Sequence, residues 1–295
     1  MSVDGALLLD KPLGLSSNAA LQRAKKLLGA KKAGHGGTLD PLASGLLVLL
    51  FGEATKFAGP LLDGDKEYLA TLQLGITTAT GDAEGEVLER RAVALDDSRL
   101  QEALGRFRGE IEQVPPMYSA LKRDGVPLYK LARRGEEVER KPRRVMITEL
   151  VQVGGRADRP ELRVRCSKGT YIRSLAMDLG AAIGCGAHLA ALRRTASGRW
   201  RVDDAITLDA LEAMPLPERR RRLLALGELL ADLPRAQLDA HGAALLRNGQ
   251  SLPIGGLAEG LCGVYGPGGV VIGLGHSDGA CLRPLRLTQA PEKHR

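Results

Sequence analysis

Residues Gly34-His35-Gly36-Gly37-Thr38-Leu39-Asp40-Pro41-Leu42-Ala43-Ser44-Gly45 constrain this chain more than any other stretch. They hold a histidine, an aspartate and four glycines, and run directly into the apolar segment Leu46-Leu47-Val48-Leu49-Leu50. Glycine at this density opens backbone angles closed to other residues and lets another molecule approach closely. Pro41 fixes the backbone after Asp40 and biases Asp40 away from helix. The pattern predicts a rigid loop that displays Asp40 and is propped by a buried element behind it. A carboxylate so held can act as a nucleophile or base. The same spacing also fits an ordinary turn in which Asp40 caps the next helix.

The loop sits in a chain of 295 residues, long enough for one large and one small domain. Hydrophobic residues make up 44% and aromatic residues only 3%, so aliphatic side chains must fill the core. Each tyrosine therefore invites a functional question. The net charge of +7 favours an anionic partner, with nucleic acid first, although a solubilising excess of charge reads the same way. Four separated cysteines, Cys166, Cys185, Cys262 and Cys281, form no CxxC pair, which argues against a structural zinc site. No apolar run reaches the roughly 20 residues needed to span a bilayer. The N-terminus lacks a basic-then-apolar leader pattern, so a cytoplasmic protein with reduced thiols is expected.

Ala6 to Lys11 reads as a buried strand, and Ser17 as the N-cap of a helix from Asn18 to Leu28. Lys25, Lys26, Lys31 and Lys32 then lead into the glycine loop, either as favourable helix-end cations or as a phosphate rim. Lys66 to Gly75 alternates, with Tyr68, Ala70, Leu72 and Leu74 on one side, as a half-buried strand does. Residues 77–85 form a polar loop. Ser98 to Phe107 has helical spacing and ends at Gly109 to Pro115. A short helix is expected from Leu128 to Arg134. Arg133, Arg134, Arg140, Lys141, Arg143 and Arg144 follow, as a solvated face or a backbone-binding arm. Strands are expected at 145–153 and 161–166, then a helix to about Ile183. Residues 206–230 look helical with one proline break, and Arg219 to Arg222 look solvated. Near Leu233-Pro234 the texture turns Gly-rich and strand-like, with a helix near 238–249 and a frayed tail from Pro291. This divides the chain into residues 1–232, carrying a basic insertion at about 122–145, and a small β-rich unit at 233–295.

Gly37-Thr38-Leu39-Asp40-Pro41-Leu42-Ala43-Ser44-Gly45 resembles the catalytic motif of the TruB-type tRNA pseudouridine synthases. Asp10-Lys11-Pro12 with Gly14 resembles that family's N-terminal motif. Met117-Tyr118-Ser119-Ala120-Leu121-Lys122 resembles a family segment near the RNA. Lys168-Gly169-Thr170-Tyr171-Ile172-Arg173 resembles a second strong motif, and Gly184 to Thr195 a third. The likeness covers residues 5 to about 215, in the family's order. It implies an α+β fold: a mixed, largely antiparallel sheet flanked by helices, with a small β-rich PUA-like RNA-binding domain at the end.

The resemblance assigns roles by position. Asp40 is the essential catalytic residue. Tyr68 stacks on the target base and is a weaker candidate to take its C5 proton. Arg173, with Tyr171, belongs to the active site, and its guanidinium is expected to keep Asp40 ionised and oriented. Leu192 lines the base pocket, His35 fills the gap left by a flipped base, and Lys11 and Lys122 contact substrate. The insertion closes over tRNA. The implied reaction converts a uridine in the T arm, at tRNA position 55, to pseudouridine. The implied protein is a monomer that needs no cofactor and no metal, since the isomerisation requires neither redox nor energy input. A glycoside hydrolase normally needs a second carboxylate, and no motif supplies one. An RNA chaperone has no need of Asp40 together with Arg173.

Overall fold

The computed structural model describes residues 2–289 except Leu95, Ala120, Asp124, Arg133 and Glu137, and Lys122 with a few others by backbone alone. The apolar run after the glycine loop becomes the strand Ala43–Phe51, nearly all of it buried. It pairs antiparallel with the N-terminal strand Gly5–Lys11, in a register that sets Leu7 opposite Leu49. On its other side lies the strand Ala187–Ser197, running parallel, with Leu192 opposite Ala43 and Arg194 opposite Gly45. That strand also pairs antiparallel with Lys66–Leu74, setting Leu192 beside Ala70 and Arg194 beside Tyr68. Arg159–Cys166, Arg143–Arg156 and Gly109–Gln113 complete the sheet by antiparallel pairing. Among the described strands of this sheet, the parallel pairings are Ala187–Ser197 with Ala43–Phe51 and the edge strand Ile206–Thr207 with Gly5–Lys11. The sheet is thus mixed and largely antiparallel, as expected.

Aliphatic side chains fill both faces. The helix Ser17–Leu28 lays Ala20, Leu21, Ala24 and Leu28 on Leu7, Leu9, Leu47 and Leu49. The helices Asp97–Arg106 and Ile172–Ile183 cover the other half, over Leu72, Leu74, Leu162 and Val164. A second, five-stranded sheet spans residues 235–287 around Ala236, Leu246, Val264, Ile272 and Leu282. Its Tyr265 and Leu274 reach outward into a shared cluster with Leu8, Val48, Leu50 and Phe57. Lys56 Nζ donates to Leu287 O at 2.8 Å, and Gln289 N to Glu53 at 2.6 Å, beside that contact.

Several local expectations change. Ser16, not Ser17, caps the first helix by accepting from Ala19 N. Ser17 is turned inward to another task. Gly109–Gln113 is a sheet-edge strand rather than the tail of a helix, because Arg143 to Ile147 pairs along it. Residues 206–230 are not one broken helix but a short strand and three short helices, Leu208–Ala213, Leu216–Arg221 and Leu226–Leu229. Pro215 and Pro217 break the run, and Leu224 bonds to Ala6 in both directions, which a continuous helix would forbid. Arg219 is not simply solvated, since it donates to Leu27 O and Glu212 O. The tail from Pro291 and the cation Arg133 lie outside the described residues. All four cysteines are free. Among the described residues no helix is long and apolar enough to cross a membrane.

Candidate active site

The glycine loop is clasped from several sides. Ser17 Oγ donates to Leu39 O at 2.9 Å and accepts from Leu39 N at 2.7 Å, holding the residue before Asp40 at both ends. Gly14 N donates to Pro41 O, and Ala43 N to Asp40 O. Gly45 has φ +100°, and a Cβ there would lie 2.2 Å from Arg194 O, so only glycine lets the strands close at this point. Arg194 is almost fully buried. It ties the loop down through Nε to Leu46 O at 2.6 Å and Nη2 to Gly37 O at 3.2 Å. Arg193, beside it, makes a bidentate pair with Asp10, at 3.0 and 2.8 Å. The paired arginines of the third motif thus brace the catalytic motif and the N-terminal Asp10-Lys11-Pro12 motif.

Asp40 meets Arg173 across the sheet end, with Nη2 2.9 Å from Oδ2. Arg173 starts the helix Ile172–Ile183 and is buried there. Its Nε lies 3.5 Å from Asp82 Oδ2, and its other N–H groups donate to Thr80 O and Tyr118 O. Every edge of the fork is therefore bound. Asp82 is itself held by Thr80 Oγ1 and Glu84 N. Burial pushes the Asp40 carboxyl above its ordinary value, opposed by Arg173 and reinforced by Asp82. Arg173 thus favours the ionised form, as expected of it, but offsets only part of a larger burial effect.

Two cavities meet at this wall. One, of about 540 Å³, is lined by Asp40, Tyr68, Tyr171, Leu192, Arg173 and Arg194, among others. The other, of about 610 Å³, is lined by Asp40, His35, Ser17, Asp82, Glu84 and Arg173. Six of the eight expected residues therefore line these cavities: Asp40 and Arg173 both of them, Tyr68, Tyr171 and Leu192 the first, and His35 the second. Burial raises the Tyr68 hydroxyl, against the pull of Arg194, so the phenol stays protonated. Burial, with Arg194 nearby, lowers His35, and among the described residues its buried Nδ1 makes no hydrogen bond.

Lys11 departs from its expected place. It is 0% exposed, and its ammonium donates to Pro12 O at 2.9 Å and Leu15 O at 2.6 Å. Burial brings it down to about 8, with Asp40 pulling the other way. It supports the loop from behind and reaches no substrate surface in this conformation. Lys122 lies on the two-residue strand Lys122–Arg123, but its side chain lies outside the described residues. His188 bonds through Nδ1 to Ile76 O.

Sequence reasoning missed Asp82, Ser119 and Lys66. Asp82 lay in a stretch read only as polar loop. Ser119 lines both cavities with a buried hydroxyl that has no hydrogen-bond partner among the described residues. Lys66 begins the strand that carries Tyr68, lines the first cavity, and is lowered by burial and by Arg194 to about 8. A lysine two residues before a lining tyrosine on one strand face was the available signal. Among the described residues no cluster of three His, Cys, Asp or Glu side chains is arranged to hold a metal ion.

Known proteins match along the whole chain. The model of the TruB family pseudouridylate synthase N-terminal domain matches residues 25–172, and that of the tRNA pseudouridylate synthase B C-terminal domain matches residues 173–235. A tRNA pseudouridine synthase B of Aromatoleum aromaticum is 56% identical, over 97% of this chain and 92% of its own. One from an Azoarcus species is 53% identical, over 97% and 95%. The fold matches a chain in the crystal structure of an archaeal box H/ACA sRNP Nop10–Cbf5 complex with a TM-score of 0.74 at 24% identity, covering 97% of this chain and 86% of that one. With both family models in sequence order and the loop, arginine fork and cavity in place, the chain belongs to the TruB family of pseudouridylate synthases.

Proposed function

We propose that this protein isomerises uridine to pseudouridine at position 55, in the T arm of tRNA. The observation that carries the reading is Asp40, displayed on a clasped loop and gripped by a buried arginine where two cavities meet. The basic surface suits the RNA, and family membership supplies the reaction class. The target lies within a folded loop, so it must leave the stack, at a cost of a few kcal/mol. Tyr68 gives the base a flat face and Leu192 an apolar edge. His35, neutral because burial lowers it, fills the vacated space. Asp40 starts the reaction in its ionised form. The N1–C1′ bond breaks, the base turns, C5 bonds to C1′, and the C5 proton is exchanged for one on N1. Every atom of the uridine is kept, so no co-reactant enters.

Stacking is the role that fits Tyr68. A base role needs its phenolate, which burial disfavours. Four free cysteines suit the cytoplasm. The unit at 233–295 is read as a PUA-like RNA-binding domain, on its separate β core. Incubation with tRNA lacking pseudouridine, followed by mapping of the modified base, tests the reading. Pseudouridine at position 55 with wild type and none with Asp40→Asn is expected. Conversion elsewhere only, or none, overturns it.

A further inference from the structure

Arg143 and Arg144 are neighbours in sequence and opposites in environment. Arg144 is largely exposed and pairs with Glu110 at 3.2 Å. Arg143 turns to the other face of the strand Arg143–Arg156. Its guanidinium carbon lies 4.7 Å from the ring centre of Tyr171, a cavity-lining residue. It also rests on the open face of Gly169, also cavity-lining, where a Cβ would come within 3.5 Å of Nη1. Nε and Nη2 are buried, and among the described residues the guanidinium makes no hydrogen bond and no ion pair. A shielded cation without an anion is costly, unless something charged arrives to meet it.

The surroundings hold this arginine in place. Arg143 pairs in register with Gln113. The Gln113 side chain accepts from Tyr171 N at 3.0 Å and donates to Tyr171 O at 3.3 Å. Gln113 thus fixes the backbone of Tyr171, while Arg143 covers its ring. Gly169, whose φ of +81° suits glycine, lies against the guanidinium at contact distance. A flat fork stacked on an aromatic ring and carrying unused N–H groups is suited to a phosphate.

We propose that Arg143 is a phosphate-binding residue at the rim of the catalytic cavity: it receives one phosphodiester next to the target nucleotide and, through its stack, holds the Tyr171 ring in register with the flipped base. This rests on the reading that the cavity takes a nucleotide of tRNA. Arg144 has no such part. On binding, the guanidinium edge exchanges its unpaired state for charge-assisted hydrogen bonds to the phosphate, and the site gains an anchor beside the reacting residue.

The test measures tRNA binding against salt in the Asp40→Asn background, where turnover does not interfere. Arg143→Gln should weaken binding about tenfold at low salt and lower the magnitude of the log–log salt slope by about 0.7–0.9, the value of one phosphate contact. Arg143→Lys should keep the slope but, in an enzyme with Asp40 intact, lose kcat because a lysine cannot stack as a plane. Arg144→Gln should leave the slope unchanged. An RNA with one uncharged methylphosphonate linkage beside the target should lose as much affinity as Arg143→Gln, and the two losses should not add. That separates a phosphate of the RNA from free inorganic phosphate. An unchanged slope in Arg143→Gln, an equal change in Arg144→Gln, or additive losses at every linkage overturns the proposal. Failure of the wild-type enzyme to form pseudouridine would instead overturn the functional reading, since the slopes are read without turnover.

Discussion

Tyr68 and Glu67 are neighbours on one strand: Tyr68 lines the cavity of one arginine–carboxylate network, and Glu67 belongs to another. On the inner face Asp40 is gripped by Arg173, with Asp82 behind. On the outer face Glu67 accepts from Arg165 and Thr195 and lies near Arg201. The chemistry is the same, yet the carboxyls move in opposite directions. Asp40 is pushed up, because burial is the largest influence and Asp82 adds a like charge. Glu67 is held down, because Thr195 and two arginines together outweigh its own burial. The inner network keeps a charge where the fold would prefer none, and the outer one gives a charge everything it needs. Strain at the reacting group and comfort away from it are the usual division between function and stability.

The sharpest way to break this comparison is to remove each carboxylate. Asp40→Asn should reduce single-turnover pseudouridine formation by 10²–10⁴-fold or more, an order-of-magnitude range for a lost acid–base or nucleophilic group. Its melting temperature should not fall at neutral pH. A carboxyl whose folded value is raised is destabilising once ionised, so its contribution declines as pH rises from the ordinary value through the raised one. A clear drop in melting temperature would mean that Asp40 is mainly structural.

Arg173→Lys comes next. It keeps the charge but cannot hold Asp40, Asp82 and two carbonyls at once, so kcat should fall about 10–100-fold, with tRNA affinity nearly unchanged. An equal loss in affinity would place Arg173 on the RNA instead. Asp82→Asn takes a like charge from Asp40, so the acid limb of the kcat profile should move to lower pH. An unmoved limb would show that Asp40 is not the group titrating.

His35→Ala should slow a folded tRNA severalfold more than a short flexible RNA bearing the same uridine, because the flexible base costs less to flip. Equal losses would leave His35 as a loop residue only. The smallest effect belongs to Glu67→Gln. It should cost about 1 kcal/mol, or about 2–4 °C in melting temperature, with activity intact. Glu67 has a lowered folded value, so its stabilisation is present above the ordinary value and lost as pH falls through the lowered one. The gap between variant and wild type should therefore close in acid. A loss of activity would merge the two networks.

Much of the site was legible because it is written in local order. Asp40 and its glycines, Tyr68 in an alternating strand, and the Tyr171–Arg173 turn into a helix each sit within a short stretch. The pairing of Asp40 with Arg173 came from motif likeness, since no local rule links residues so far apart. Asp82 stayed hidden because its contact exists only once residues 77–85 fold back onto the helix start. The Ser16 and Ser17 roles were exchanged because either hydroxyl satisfies the capping pattern, and only the tertiary position of Leu39 decides between them. Lys11 was assigned to substrate by motif likeness, but its ammonium is consumed by two carbonyls of its own loop. The strand Ala187–Ser197 was read only as a motif, although it is what joins the Asp40 loop to Tyr68.

The cluster joining Tyr265 and Leu274 to Leu8, Val48 and Leu50 has a consequence for synthesis. Val48 belongs to the strand that props the Asp40 loop, and its outer neighbours come from the last part of the chain to leave the ribosome. A nascent chain halted before residue 260 lacks Tyr265 and Leu274, so Val48 and Leu50 are then covered only by earlier members of the cluster such as Leu229 and Leu230.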